Sequence, residues 1–157
     1  MGSPRVTAGT ASAFGGVSEN LNGFGIPAGC CSDGPSGMRL DCGTKAFSLP
    51  NGTMIASSFN KELTSELFTF MGLEMAANKV DCLLGPGMNI HRHPLNGRNF
   101  EYFSEDPFLT GKMAAAELKG MAGAWVTGTI KHFCANNRET NRHFIDSVVS
   151  ARALREI

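Results

Sequence analysis

The sequence predicts an α/β fold in which parallel strands alternate with helices. Segments with apolar residues at helical spacing alternate with short apolar runs, and this alternation is typical of strands joined by crossover helices. Charged and polar residues gather directly after the apolar runs. In proteins with parallel sheets, both barrels and open sheets, the functional polar residues lie at the carboxyl ends of the strands.

The first third of the chain predicts little regular structure. Residues 1–23 are rich in Gly, Ser, Thr and Ala, which predicts an irregular lead-in. Residues 24–53 contain many Gly and Pro residues, which favours loop over helix.

The middle of the chain predicts a helix followed by a buried strand. Asn60 suits an N-cap and Glu62 suits the first helical turn, so a helix is predicted near 60–78. Its apolar residues follow at helical spacing: Leu63, Leu67, Phe70, Met71 and Met75. The run at 80–84 predicts a strand that ends in a Gly-Pro-Gly turn.

The same alternation continues to the end of the chain. A long polar loop at 85–103 precedes a helix near 105–122, with Ser104 as the predicted N-cap. A second buried strand is predicted at 125–130, extended backbone at 143–149, and a last helix at 151–157 capped by Ser150. A complete barrel of eight strands takes about 250 residues. With 157 residues, we expect roughly half of one, as part of a larger enzyme.

Charge and cysteine content exclude several classes of protein. Fourteen basic and fourteen acidic residues cancel, which predicts no nucleic-acid partner. No apolar run approaches the roughly 18 residues of a membrane span. The five cysteines are odd in number and include no C-x-x-C pair, so we expect reduced, packed thiols and a cytoplasmic protein. They are Cys30, Cys31, Cys42, Cys82 and Cys134.

Candidate binding residues follow the predicted strands. Lys131 and His132 come directly after one strand and can both donate hydrogen bonds, and Arg98 lies in the loop after the previous strand. A carboxylate such as Asp33, flanked by cationic donors, suits the recognition of adjacent sugar hydroxyls. Each has a structural alternative: a salt bridge from Arg98 to Glu101 or Glu105, a core histidine, and a turn-forming Asp before Gly.

A metal-dependent hydrolase is the competing chemistry. His91 and His93 lie two residues apart beyond a strand and could bind zinc together with His132 and a carboxylate. The alternative is a pair of loop histidines. Glu139 and Arg142, in the polar run 136–142, either lie in a solvated loop or hold the site in place.

Four segments resemble a known family. They are SDGPSGMR (32–39), LLGPGMNI (83–90), GRNFEYFSEDP (97–107) and KHFCANNRETNR (131–142). In this order they resemble the N-terminal barrel domain of glycoside hydrolase family 3, most of all its β-glucosidase branch. The resemblance implies that residues 24–157 form the first half of a TIM-type (β/α)8 barrel.

The resemblance also implies a subsite for the non-reducing sugar of a β-linked glucoside. Carried over by motif, its residues are Asp33, Arg39, Arg98, Lys131, His132 and Arg142. The acidic residues Glu101, Glu105 and Asp106 are expected to orient Arg98 and cap the next helix. KHFCANN replaces the KHFPGHG run of the family's N-acetylglucosaminidases, which favours glucose or xylose as the sugar.

Catalysis in this family uses two carboxylates and no cofactor or metal. The nucleophilic Asp and the acid/base Glu are expected beyond residue 157, in the remainder of the barrel and in a following α/β sandwich domain, so no catalytic residue is expected in this chain. The chain alone is therefore expected to be inactive. Some relatives have their domains in permuted order. A non-catalytic carbohydrate-binding role remains as another alternative.

Overall fold

A computed structural model describes residues 12–15, 24–25, 28–40 and 43–157. Its sheet contains, in spatial order, β1 (Ser12–Gly15), β2 (Ala28–Asp33), β3 (Cys82–Leu84) and β4 (Thr127–Gly128). Strands β2, β3 and β4 are parallel, which confirms the predicted parallel sheet. Strand β1 pairs with β2 in the antiparallel direction.

Four helices accompany the described sheet: α1 (Gly52–Ser57), α2 (Lys61–Ala77), α3 (Pro107–Gly123) and α4 (Ala151–Glu156). Helix α2 lies between β2 and β3 in the chain and α3 lies between β3 and β4, so the predicted alternation is confirmed. As predicted, the side chain of Asn60 caps α2, and that of Ser150 caps α4. No helix in these ranges combines the length and the hydrophobicity needed to span a bilayer.

The start of α3 differs from the prediction of Ser104 as the N-cap, whereas the expectation that Asp106 helps to cap this helix is confirmed. Its N-cap is Asp106, whose side chain accepts the backbone N–H of Phe108. The Ser104 hydroxyl instead accepts the N–H of Asp106 at 3.0 Å. Pro107 then fits the first helical position, where its missing N–H would have had no helical partner.

The first third of the chain is more ordered than the sequence predicts. Strand β1 lies within 1–23, and β2 and the start of α1 lie within 24–53, so the prediction of irregular structure is wrong at these elements. The sheet overrides the local preference of this Gly- and Ser-rich sequence, because each strand gains its hydrogen bonds from a distant neighbour.

The predicted strands at 80–84 and 125–130 are longer than the observed ones. Trp125 has a φ of 62° and is 97% exposed, so it belongs to the turn after α3 rather than to β4. Residues 143–149 form no strand; they lead from a turn into α4.

The core lies where α2 and α3 pack together against one face of the sheet. The predicted core methionines are all buried: Met71, Met75, Met113 and Met121. A Cβ on Gly120 would lie 2.3 Å from the Ser65 carbonyl oxygen, so the two helices approach each other closely. Leu63 and Phe70 are more than half exposed, although their spacing predicts the buried face.

Three of the cysteines are buried thiols, as predicted: Cys30, Cys31 and Cys82. Burial and the neighbouring Cys82 raise the pKa of Cys31 to about 11, so this thiol stays protonated at neutral pH. Cys134 is exposed, which contradicts its predicted packing, and Cys42 lies outside the described residues.

Candidate functional site

The carboxyl ends of the parallel strands bring Asp33 and Lys131 together. Asp33 is the last residue of β2, and Lys131 follows β4, where its backbone forms a bridge with Gly87. The Lys131 Nζ atom lies 3.0 Å from Oδ1 of Asp33. Although 98 positions apart in the chain, these residues form an ion pair because the parallel strands that lead to them end at the same edge of the sheet.

A tight turn after β2 brings Arg39 back to Asp33. The Arg39 N–H donates to the Asp33 carbonyl oxygen at 2.8 Å, and the Arg39 guanidinium lies 3.8 Å from the Asp33 carboxylate. Gly34 has a φ of +119°, and a Cβ there would collide with the Gly37 carbonyl oxygen. Asp33 therefore both begins a turn and contributes a charge to the site.

Arg98 is held by Glu101. The guanidinium donates to both carboxylate oxygens at 3.0–3.2 Å, and the Arg98 and Glu101 side chains are only 16% and 6% exposed. Glu101 also lies 3.8 Å from Lys131 Nζ. The salt bridge from Arg98 to Glu101, given as the structural alternative for Arg98, is confirmed, whereas Glu105 is exposed.

Glu139 extends the network to the last predicted residue, Arg142. Its carboxylate lies 3.9 Å from Arg98 and 2.8 Å from Arg142, and it accepts the side-chain amide of Asn136 at 2.9 Å. Seven side chains thus form a chain of alternating charge with one cation in excess. Its order is Arg39, Asp33, Lys131, Glu101, Arg98, Glu139 and Arg142.

His132 is fixed by two residues that the sequence did not predict. The Tyr102 hydroxyl lies 3.1 Å from His132 Nδ1. The Asn89 side chain binds the His132 backbone, accepting its N–H at 2.7 Å and donating to its carbonyl at 3.2 Å. No spacing rule connects these positions. The only available signal was that both lie in polar segments after strands.

The electrostatics keep Asp33 and Glu139 ionised and His132 neutral. Burial of Asp33 acts to raise its pKa, but Lys131, the Gly34 amide and Arg39 outweigh burial and bring the pKa below its usual value. For Glu139, burial is likewise outweighed by Asn136, Arg98 and Arg142, so its pKa is lowered. Burial, followed by the charges of Arg98 and Lys131, lowers the pKa of His132 to about 4.

The histidines do not assemble into the alternative metal site. The His91 ring lies 3.1 Å from the Tyr102 carbonyl oxygen, and the His93 ring accepts the N–H of Leu95. In the part of the chain that the structure describes, no three His, Cys, Asp or Glu side chains come close enough to hold one ion. The interpretation of His91 and His93 as loop histidines that hydrogen-bond locally is confirmed.

An open groove of about 680 Å³ runs beside this cluster of charges. Its lining includes Lys131, His132 and Arg142, together with the neighbouring Asn89 and Asn136. Asp33 and Arg98 lie outside this lining, so the groove borders only part of the predicted sugar site.

A family profile and a related protein of known name both indicate the same protein family. Residues 9–156 match the profile of the glycosyl hydrolase family 3 N terminal domain. A beta-glucosidase from Ruminococcus albus is 80% identical over 157 residues, which are 100% of this chain and 17% of that protein.

Solved structures agree with this match. A beta-glucosidase from Paenibacillus barengoltzii is 58% identical with a TM-score of 0.95, over 100% of this chain and 17% of that one. Beta-glucosidase 3B from Thermotoga neapolitana, in complex with glucose, is 46% identical with a TM-score of 0.89, over 96% of this chain and 22% of that one. The chain thus spans about a fifth or less of the length of these relatives. It belongs to glycosyl hydrolase family 3, and its strands and helices form part of the N-terminal barrel domain of that family.

Proposed function

We propose that this chain supplies the sugar-binding half of the −1 subsite in a retaining β-glucosidase that releases terminal β-D-glucose or β-xylose. The observation that most supports this proposal is the position of the Asp33 carboxylate, which lies between Lys131 and Arg39 where a parallel strand ends. The relatives named as beta-glucosidases support the same activity.

The alternating charges suit the recognition of a neutral polyol. Asp33 accepts hydrogen bonds from adjacent sugar hydroxyls, while Lys131, Arg98 and other cations donate them. Because Glu101 and Glu139 offset the cations, the cluster avoids the cost of burying unpaired charge. The donors and acceptors are therefore already oriented when the sugar arrives, which reduces the ordering cost of binding.

The proposed catalytic pair lies in sequence beyond residue 157. Retaining glycosidases use a nucleophilic carboxylate and an acid/base about 5–5.5 Å apart. Glu101 and Glu139 are unsuited to these roles, because each is engaged by an arginine. We assign the nucleophile to the remainder of the barrel and the acid/base to a following α/β sandwich domain, with no cofactor. The buried thiols favour a cytoplasmic protein.

The test is an assay of the full-length protein on nitrophenyl β-glucoside and β-xyloside, with and without EDTA. We expect turnover that EDTA does not change, with the β-anomer of the sugar as the first product seen by proton NMR. Turnover lost with EDTA would support a metal-dependent hydrolase, and the α-anomer as first product would contradict retention. Sugar binding without turnover would indicate a carbohydrate-binding protein.

A further inference from the structure

The hydrogen-bond partners of Tyr102 determine which nitrogen of His132 carries the proton. Tyr102 is completely buried, and its hydroxyl has a single proton to donate. The hydroxyl donates to the Asn136 carbonyl oxygen at 3.1 Å and accepts from the Asn136 side-chain amide at 3.3 Å. At His132 Nδ1, 3.1 Å away, the same hydroxyl can then only accept.

Asn89 imposes the same requirement on the ring. Its Oδ1 atom is oriented by accepting the His132 backbone N–H, and its Nδ2 atom donates to the His132 carbonyl. The oriented Oδ1 lies 3.4 Å from His132 Nδ1 and has no proton to give. Two acceptors thus face Nδ1, and each forms a hydrogen bond with the ring only when Nδ1 bears hydrogen.

The other ring nitrogen is then left with a lone pair. A neutral imidazole has one N–H, so protonation at Nδ1 leaves Nε2 as an acceptor. Nε2 has no hydrogen-bond partner among the residues that the structure describes, and His132 lies on the wall of the open groove. We propose that Tyr102 is a positioning residue that, with Asn89, holds His132 in the Nδ1-protonated form, so that Nε2 accepts a hydrogen bond from a substrate hydroxyl.

This inference rests on the proposed function and refines it. The sequence predicts that Lys131 and His132 both donate to the ligand, whereas the tautomer makes His132 an acceptor next to a donor. Lys131 therefore donates to the oxygen of a substrate hydroxyl, whereas His132 accepts the hydrogen of one. A substituent that accepts but cannot donate, such as fluorine, does not satisfy the contact with Nε2.

The first test reads the tautomer directly and does not depend on activity. Full-length protein labelled with ¹⁵N-histidine is studied by NMR at neutral pH, and the His132→Gln variant assigns the signal. We expect Nδ1 to show the shift of a protonated nitrogen and Nε2 that of an unprotonated one. The reverse pattern, or an even mixture, would overturn the inference even if the protein is an active β-glucosidase.

The second test measures competitive inhibition by glucose analogues in which one hydroxyl at a time is replaced by hydrogen or fluorine. At the position that His132→Gln affects most, the wild type should bind the fluoro analogue no better than the deoxy analogue. In Tyr102→Phe only the longer contact to Asn89, at 3.4 Å, still favours hydrogen on Nδ1. The ring can then also donate from Nε2, so the fluoro analogue should gain up to about tenfold over the deoxy analogue, as expected for one hydrogen bond.

A matched control separates positioning from general damage. Thr53→Val removes a hydroxyl that donates to the Tyr102 carbonyl oxygen at 2.9 Å but leaves the phenol intact. Its analogue preference should equal that of the wild type. An unchanged preference in folded Tyr102→Phe would contradict the role of the hydroxyl. Should that variant fail to fold, the wild-type NMR measurement still decides.

Discussion

Asp33 contributes both to the turn after β2 and to the candidate binding site. Its backbone carbonyl accepts the Arg39 N–H and closes the turn, while its carboxylate pairs with Lys131. The turn thus keeps the carboxylate at the strand end. Burial acts to raise the pKa of this carboxyl, but Lys131 and its other partners outweigh burial, so it stays ionised at neutral pH and accepts hydrogen bonds.

Replacing Asp33 by Asn tests the charged acceptor. In the full-length enzyme, Asp33→Asn should lower kcat/KM on an aryl glucoside. The expected drop corresponds to a loss of about 1.5–3 kcal/mol in transition-state stabilisation, the usual value of a hydrogen bond to a charged group. The matched control is Asp106→Asn, because Asn caps a helix about as well as Asp. Equal kcat/KM for Asp33→Asn and the wild type would contradict the assignment of Asp33 to the subsite.

Gly87 leaves the space that Glu101 occupies. A Cβ at this position would lie 2.6 Å from Glu101 Oε1, so Gly87→Ala must displace the carboxylate that holds Arg98 and Lys131. We expect kcat/KM to fall at least about tenfold, because disturbing a buried ion pair is costly. Gly97→Ala is the control, since its Cβ would meet Glu139 only at an ordinary 3.4 Å. Equal kcat/KM values for Gly87→Ala and Gly97→Ala would contradict the prediction that Glu101 needs the space beside Gly87.

Single residues were predictable where position in the chain carries the chemistry. Lys131 and His132 directly follow the predicted strand at 125–130, and Arg98 has Glu101 three residues away, so the sequence alone suggested each of them. Tyr102 and Asn89 were not predictable in this way. Their contacts to His132 span 30 and 43 positions and depend on how the loops after β3 and β4 lie against each other.

At the scale of elements, α3 illustrates how closely the crossover helices pack. Gly120→Ala would place its Cβ 2.3 Å from the Ser65 carbonyl oxygen of α2. We expect a loss of about 1–3 kcal/mol in the free energy of unfolding, as for other overpacked cores. Gly111→Ala in the same helix meets nothing within 4 Å and should be neutral or stabilising by up to about 1 kcal/mol. Thermal unfolding of both variants checks the difference.

Glu117 is a carboxyl buried in α3, 2% exposed, and its Oε2 atom has no hydrogen-bond partner within the described ranges. Burial raises the pKa of Glu117 well above its usual value. At a pH between the unfolded and the folded pKa, the folded protein therefore holds a proton on Glu117 that the unfolded chain has already released. Its contribution to stability is full below the unfolded pKa and decreases as the pH rises toward the folded pKa.

Glu117→Gln removes this pH dependence. Above the unfolded pKa the wild type should lose stability as the pH rises, whereas the variant should not lose it by this route, because Gln has no proton to release. Below that pKa the difference in stability between the two proteins should not change with pH. Thermal unfolding at mildly acidic and mildly alkaline pH measures both values, with the exposed Glu66→Gln in α2 as control. An equal loss of stability in the variant and the wild type between the two pH values would contradict the prediction.

Helices were easier to predict than strands, for a physical reason. The caps at Asn60 and Ser150 are local interactions within three residues, so sequence spacing reveals them. Strands β1 (SAFG) and β2 (AGCCSD) consist mostly of small residues and contain no β-branched residue to favour extended structure. They form because neighbouring strands satisfy their backbone groups.

At the scale of the molecule, the charge network joins segments that lie far apart in the chain. It connects the turn after β2, the loop before α3 and the segments after β4. The sequence predicted that these segments carry the chemistry, and the parallel strands explain why they meet at one edge. The order in which the charges pair depends on the register of the strands and could not be predicted from the sequence.

The most direct test of the central claim is a crystal structure of the full-length protein with glucose. We expect the sugar against this cluster, with the Asp33 carboxylate within hydrogen-bond distance of two adjacent hydroxyls and with Lys131 and Arg98 donating to the same ring. Glucose bound elsewhere, with Asp33 still paired only with its cations, would contradict the proposal that this chain forms the sugar-binding half of the subsite.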